Sequence, residues 1–327
     1  MATIHFLKKK KHTPFFFSIE MEDTEDDTKK YQYIDARQLL LLEPDRDLGS
    51  ISREVLSMYV PVLIEEENKP SKVHAGAQDD NAEASDDDEE KVVKKTSARK
   101  KPLKATMEMT DVDVSQGAIK IFREPAQNAF DREHWTFGSD DPTTCIRFTI
   151  DKNTITIRND GEGIPCAKTI IDGVETYHSS ALFGRFHSSS NYNKSYKPDY
   201  VGGKNGVGAK ATNTYSRAPD NGPAFKVTSF DAKRQLLFTQ TWRENMSIED
   251  PPVIKERKGK GGYTEVTFTP DWTRLGMPEG MNEGTRLALE ACVWYGAACT
   301  HPKIKIYLNG TQLSTSSFSQ FASMFQK

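Results

Sequence analysis

Gly203-Lys204-Asn205-Gly206-Val207-Gly208-Ala209-Lys210 is the stretch on which the reading of this chain turns. Three glycines and an asparagine precede a closing lysine. Without a Cβ, glycine admits positive φ and lets successive backbone N–H groups converge on an anion. A helix opening at Ala209 turns its positive end toward that anion, and Lys210 adds a point charge suited to a phosphate chain. A purely structural turn has the same composition. The loop is not Gly-x4-Gly-Lys-Ser/Thr, and no acidic residue follows a clean βαβ unit at the distance a dinucleotide fingerprint needs. Its meaning depends on what stands upstream.

Gly117-Ala118-Ile119-Lys120-Ile121-Phe122-Arg123 runs into Glu124-Pro125-Ala126-Gln127-Asn128. Ile119, Ile121 and Phe122 predict a helix with one apolar stripe, and Asp113 with Gln116 predicts a capping box at its start. Glu124 and Asn128 are one helical turn apart and share a face. A carboxylate can orient and deprotonate water, and an amide oxygen is a hard ligand for Mg²⁺. Two solvated polar residues on an exposed helix give the same pattern.

Ile146, Phe148 and Ile150 alternate, as do Ile155 and Ile157, around Asp151-Lys152-Asn153, which predicts two strands joined as a hairpin. The second strand, Ile155-Thr156-Ile157-Arg158-Asn159-Asp160, enters Gly161-Glu162-Gly163-Ile164-Pro165 directly. A side-chain amide at a strand end beside glycine can meet a flat heterocycle edge-on, which suits an adenine amino group. Downstream, strand-like runs at 224–230, 236–241, 263–269 and 304–308 surround a predicted helix over 282–299.

Ordered as Glu-x3-Asn, Asn-x-Gly-x-Gly and a glycine loop ending in lysine, these elements resemble the GHKL ATPase superfamily. Within it the chain is most similar to the ATPase region of type II DNA topoisomerases from eukaryotes and large DNA viruses. Gly184 to Tyr192, with Ser189-Ser190-Asn191-Tyr192 at its end, resembles that family's Ser-Ser-Asn-Tyr contact to ribose and phosphate. Gly202 to Lys210 is similar to its Gly-Gly-x-Asn-Gly-x-Gly-x-Lys lid. Gln240-Thr241-Trp242 with Asn245-Met246, Tyr307-Leu308-Asn309-Gly310, and Leu41 to Ser50 resemble further family stretches.

The resemblance implies an α+β fold, the GHKL (Bergerat) sandwich, with a mixed β-sheet covered by helices on one face. It implies ATP as substrate and Mg²⁺ as cofactor. Glu124 is then the general base that activates water against the γ-phosphate, Asn128 a ligand to Mg²⁺, and Asn159 the reader of the adenine edge. Ser189, Ser190 and Asn191 hold ribose and α-phosphate. Gly203, Lys204, Asn205, Gly206, Val207, Gly208 and Ala209 wrap the β- and γ-phosphates, with Lys210 as the closing charge. In such phosphoryl transfer, charge placed around the γ-phosphate carries most of the catalysis. The implied partners are a second copy of the chain on ATP binding, the remaining topoisomerase domains and, through the complete enzyme, double-stranded DNA.

Some positions depart from the family. Pro125 stands in place of an aliphatic residue, Arg123 in place of an acid, and Arg132 in place of an asparagine used near the nucleotide. An interior proline costs about 3 kcal/mol and removes the bond to the carbonyl four residues back, here Ile121. The expectation is a kinked but folded helix, with impaired hydrolysis and retained nucleotide binding as one outcome. A nucleotide-gated GHKL interaction module, chaperone-like or mismatch-repair-like, is the alternative reading, and a remnant that binds nothing a third.

The 327 residues are 36% hydrophobic, with long polar runs, and mean hydropathy is −0.65. A net charge of −3 argues against tight nonspecific DNA binding by the chain as a whole. Four cysteines without a CxxC pattern or a secretory signal predict reduced thiols in a cytosol-like or nuclear compartment, and the resemblance implies the nucleus or a viral replication site in a host cell. No apolar run reaches the ~18 residues of a membrane helix. The composition predicts a disordered charged arm over 1–30, a packed segment over 31–64, where the resemblance implies an N-terminal strap, and a disordered acidic-then-basic insertion over 65–105. Tyr31 in the strap is either a surface aromatic or a contact to the partner's nucleotide. The basic half, Lys94 to Lys101, reads as a solvated insertion, an import signal or a contact to DNA phosphates. The ATPase domain is expected over 106–310 and the start of a transducer domain over 311–327. The family's Gln-Thr-Lys loop and cleavage tyrosine are missing, so the expectation is a fragment, split-gene product or truncated frame, at most a weak ATPase alone.

Overall fold

The structure, a computed structural model, describes residues 33–64, 101–192, 205–315 and 317–325. The predicted arm at 1–30, Tyr31, most of the 65–105 insertion, Gly203 and Lys204 lie outside the described residues. In chain order the helices are α1 (Ala36–Leu42), α2 (Gln116–Thr136), α3 (His178–Gly184), α4 (Gly208–Thr214), α5 (Glu283–Cys299) and α6 (Phe318–Ser323). The strands are β1 (Arg53–Leu63), β2 (Ala105–Ser115), β3 (Cys145–Ile150), β4 (Ile155–Asp160), β5 (Lys168–Ile171), β6 (Val174–Tyr177), β7 (Phe225–Asp231), β8 (Leu236–Arg243), β9 (Ile248–Glu249), β10 (Val253–Glu256), β11 (Tyr263–Phe268), β12 (Lys305–Leu308) and β13 (Thr311–Gln312).

A nine-stranded sheet runs β10-β8-β7-β11-β4-β3-β12-β13, with β9 beside β8. It is mixed, because β12 lies parallel to β3 while the other pairs are antiparallel. Alternation sorts its two faces. Ile146, Phe148, Ile155, Ile157, Val266 and Phe268 are buried under the helices. The opposite face is largely polar apart from buried Phe230 and Tyr263: Thr156 meets Thr267 at 3.0 Å, and Arg158 lies over the Tyr263 ring at 3.7 Å. A largely polar face needs little cover, and the helices pack on the other side. Phe148 is the pivot between sheet and helix, with its ring 6.2 Å from Phe122 and 5.3 Å from Phe130 of α2.

β1 and β2 form a long antiparallel ladder, Arg53 opposite Ser115 and Leu63 opposite Ala105, so the chain returns to it across 65–100. Val60, Val112 and Val114 pack on Ala288 and Ala291 of α5. The segment after β13 folds back here too, with Phe321 edge-on to Tyr295 at 5.6 Å and Met107 N–H donating to the Met324 carbonyl. Among the described residues no helix is long and apolar enough to cross a membrane. All four cysteines are free.

α2 starts differently from the expectation. Its cap is Ser115, whose hydroxyl accepts from Ala118 N–H at 3.3 Å. Asp113 cannot serve as a capping-box residue because β2 continues through it, and its carboxylate pairs with Arg53 across the ladder. Gln116 turns away as well and donates to Glu54. From Ser115 the helix runs unbroken through Pro125.

Truncating the pivot tests this packing. Phe148→Ala is expected to cost about 3–5 kcal/mol, read from the urea unfolding midpoint at unchanged slope.

Candidate active site

One cavity of about 400 Å³ opens between α2, the end of β4, residues 188–191 and the start of α4. Glu124 and Asn128 reach it from α2, and Asn159 from β4. Ser189, Ser190 and Asn191 line it, as do Asn205, Gly206, Val207, Gly208, Ala209 and Lys210. Every described residue to which the resemblance gives a catalytic or nucleotide-binding role thus borders the same space.

The β4 end is lined by apolar Ile157, Ile164 and Val266 and by polar Asn159 and Thr264. Asn159 is buried, and its Nδ2 donates to the Asp160 carbonyl at 3.0 Å, which fixes the amide plane. Thr264 stands opposite on β11, with Ile157, Ile164 and Val266 alongside. Asp160 faces away from the cavity. Its carboxylate accepts from the N–H groups of Thr144 and Cys145, each at 2.7 Å, and pins the strand end. Gly161 takes φ +90° there, and a Cβ would lie 2.7 Å from Thr143 N.

On the α2 wall, Lys120 Nζ holds Glu124 Oε1 at 2.6 Å. The other oxygen, Oε2, abuts α4 so closely that a Cβ on Gly208 would collide with it. Asn128, one turn further, is exposed to the cavity with its amide oxygen available to a hard cation. Arg132 also borders the cavity and donates from Nη2 to the Glu162 carbonyl at 2.7 Å. Its Nε is buried without a partner among the described residues, and burial pulls the guanidinium below its usual range.

On the α4 wall, Lys210 is 2% exposed and its Nζ donates to the Ser188 carbonyl at 2.5 Å. Desolvation lowers its pKa to about 7. Gly206 takes φ +62°, and Tyr192 closes over the loop by donating to the Asn205 carbonyl at 2.8 Å. Gln240 and Trp242 do not border the cavity. Gln240 accepts from the Ser180 hydroxyl at 2.7 Å, and Trp242 packs beneath Gly184, so the Gln-Thr-Trp stretch is framework.

Sequence reasoning passed over three residues at this site. Lys120 was legible from its helical spacing to Glu124. Thr264 is set by strand pairing across more than a hundred residues, and Ser188 contributes only its backbone, so neither carried a signal.

The Lys210 burial has a pH signature. Its folded pKa lies below the unfolded value near 10.4, so the unfolded chain holds the extra proton between about pH 7 and pH 10. The penalty is complete below pH 7 and fades as pH rises. Lys210→Met is therefore expected to raise the urea midpoint most at pH 6 and less at pH 9, each against wild type at the same pH.

No family model matches the chain. It is similar to DNA topoisomerase 2 of Plasmodium falciparum, 33% identical over 227 residues, covering 68% of this chain and 15% of that protein. It is similar also to DNA topoisomerase 2 of Invertebrate iridescent virus 6, 32% identical over 223 residues, covering 66% and 19%. Among solved structures, the ATPase region of Saccharomyces cerevisiae topoisomerase II superposes with a TM-score of 0.70 at 27% identity, over 91% of this chain and 65% of that one. The ATPase and transducer domains of Balamuthia mandrillaris DNA topoisomerase II give 0.69 at 30% identity, over 91% and 64%. The chain thus spans less than a fifth of the curated relatives it matches, 15% and 19% of their lengths. In sequence and in fold it belongs to the type II DNA topoisomerase family, within the part that forms the ATPase region.

Proposed function

We propose that the chain binds ATP with Mg²⁺ and hydrolyses it, as the ATPase-region portion of a type II DNA topoisomerase. The observation that supports this best is the meeting of three polar clusters, from α2, β4 and the 205–210 loop, around one cavity. Adenine lies between Ile157, Ile164 and Val266, with Asn159 accepting from its exocyclic amine and Thr264 beside it. Ser189, Ser190 and Asn191 take ribose and α-phosphate. The β- and γ-phosphates run along the loop to Lys210.

Asn128 is the residue here whose amide oxygen fits Mg²⁺, which when bound offsets triphosphate charge. Glu124 takes a proton from water as the water oxygen bonds to the γ-phosphorus and the bond to the bridging β-phosphate oxygen breaks, leaving ADP and inorganic phosphate. Lys120 and Gly208 fix that carboxylate from its two oxygens. Lys210, near half-protonated at neutral pH when alone, is fully charged beside the triphosphate, so nucleotide binding takes up a proton above pH 7. In a complete enzyme this binding closes a dimer around a DNA duplex for strand passage, in the nucleus or at a viral replication site. The isolated chain is at most a weak ATPase.

Thermal melting with Mg²⁺ and a non-hydrolysable ATP analogue tests the proposal. Saturation at a hundred times Kd is expected to stabilise the fold by about 2.7 kcal/mol. Asn159→Ala should abolish the shift, while Glu124→Gln should keep it and lose phosphate release. An unchanged Tm at millimolar analogue would overturn nucleotide binding, and equal phosphate release from wild type and Glu124→Gln would remove Glu124 as the base.

A further inference from the structure

Pro125 sits inside α2, buried in its apolar stripe. A regular helix would have residue 125 donate its N–H to the Ile121 carbonyl, and proline has none to give. Ile121 is 1% exposed, so water does not substitute. A buried carbonyl left open costs on the order of 1–3 kcal/mol. The donor that arrives is the Thr212 hydroxyl of α4, 2.8 Å from the Ile121 oxygen. Thr212 is fully buried. Its hydroxyl also lies 3.3 Å from the Gly208 carbonyl in its own helix, but it has one proton and the shorter contact is to Ile121.

This bond joins the two helices whose relative register matters most at the site. Glu124 directly precedes Pro125. Gly208, one turn before Thr212, is the residue against which the Glu124 carboxylate rests. A slip of α2 along α4 would break the Thr212 bond and move the carboxylate together.

We infer that Thr212 is a positioning residue. Its hydroxyl replaces the hydrogen bond that α2 lacks at Pro125, and through that bond it fixes Glu124 against the start of α4. The chain thereby carries a proline beside the carboxylate without loosening it. The catalytic consequence rests on the ATPase reading above; the hydrogen-bond replacement does not.

A double-mutant cycle separates the two. Thr212→Val keeps shape and removes the donor, and Pro125→Ala restores the backbone N–H that Ile121 lacks. Thr212→Val is expected to lower the urea midpoint in the wild-type background, and to lower it by less than half as much in the Pro125→Ala background. Thr212→Ser, which keeps the hydroxyl, should stay near wild type and serves if the valine variant folds poorly. Equal losses from Thr212→Val in the two backgrounds would overturn the inference, since the hydroxyl would then serve only its own helix. For catalysis, kcat for phosphate release should fall on the order of tenfold in Thr212→Val, with affinity for the ATP analogue within about twofold, and recover in Thr212→Ser. A kcat unchanged in Thr212→Val would overturn the positioning role. If the wild-type chain releases no phosphate, the ATPase reading fails at that point and the stability cycle still decides the bond.

Discussion

Lys210 places an ammonium where water hardly reaches, and its described hydrogen bond goes to one carbonyl, that of Ser188. An ammonium carries three donors, and burying it without an anion is expensive enough to drive it toward the neutral form. A fold can relieve that by supplying a carboxylate, and one is available across the cavity in Glu124. The structure does not use it so. Glu124 is held by Lys120 at 2.6 Å, and Asp47, which also lines the cavity, lies 3.7 Å from Arg46. With these acids matched to other cations, the buried charge is left to whatever anion enters. Such a buried lysine, left without a protein carboxylate, gains its full charge when a phosphate chain enters.

Holding that arrangement demands a rigid α4, and the helix is too short to be stable by itself. Its support comes from behind. Asn245 donates to the Thr214 carbonyl at 2.9 Å and to Asp271 at 3.0 Å, tying down the helix's last turn. Glu244, Asn245 and Met246 all adopt positive φ, +50°, +55° and +64°, a conformation that disfavours residues with a Cβ. That strain is tolerated because Asn245 is locked on both sides. Gln240 and Trp242 do the same service for α3, so the family-like stretch from 240 to 246 shapes the cavity without entering it.

Where burial on one face writes an alternating pattern, the sequence was readable. The β3–β4 hairpin, β11 and α5 follow from apolar spacing, and α5 opens at Asn282, whose side chain accepts from Thr285 N–H. The polar clusters were legible for a different reason: glycine, asparagine and glutamate at those spacings have few structural uses in common. Pairings made over long stretches of chain were not legible. The β1–β2 ladder spans 65–100, and Thr264 meets Asn159 only because β11 inserts between β4 and β7. The start of α2 misled for a local reason. Asp113 has the right chemistry for a cap, but strand register aims it at Arg53, and the first non-helical residue with an oxygen to offer is Ser115.

Pro125 and Arg132 both depart from the family pattern, and the fold treats them in opposite ways. At Pro125 the lost donor is replaced inside the protein, since Thr212 reaches the Ile121 carbonyl. The helix therefore keeps Glu124 on the cavity wall, and the proline gives no physical ground for an inert site. At Arg132 one bond is made, to the Glu162 carbonyl, and a second donor is left buried and open. A guanidinium stays charged even when burial disfavours it, so its cost is not escaped by losing a proton. The proline's lost bond is thus made good inside the fold, while Arg132 keeps its charge at the cavity wall. On the nucleotide reading Arg132 is thus part of the ligand's environment, and an added positive charge near the pocket offsets the acidity of the chain where a triphosphate must approach.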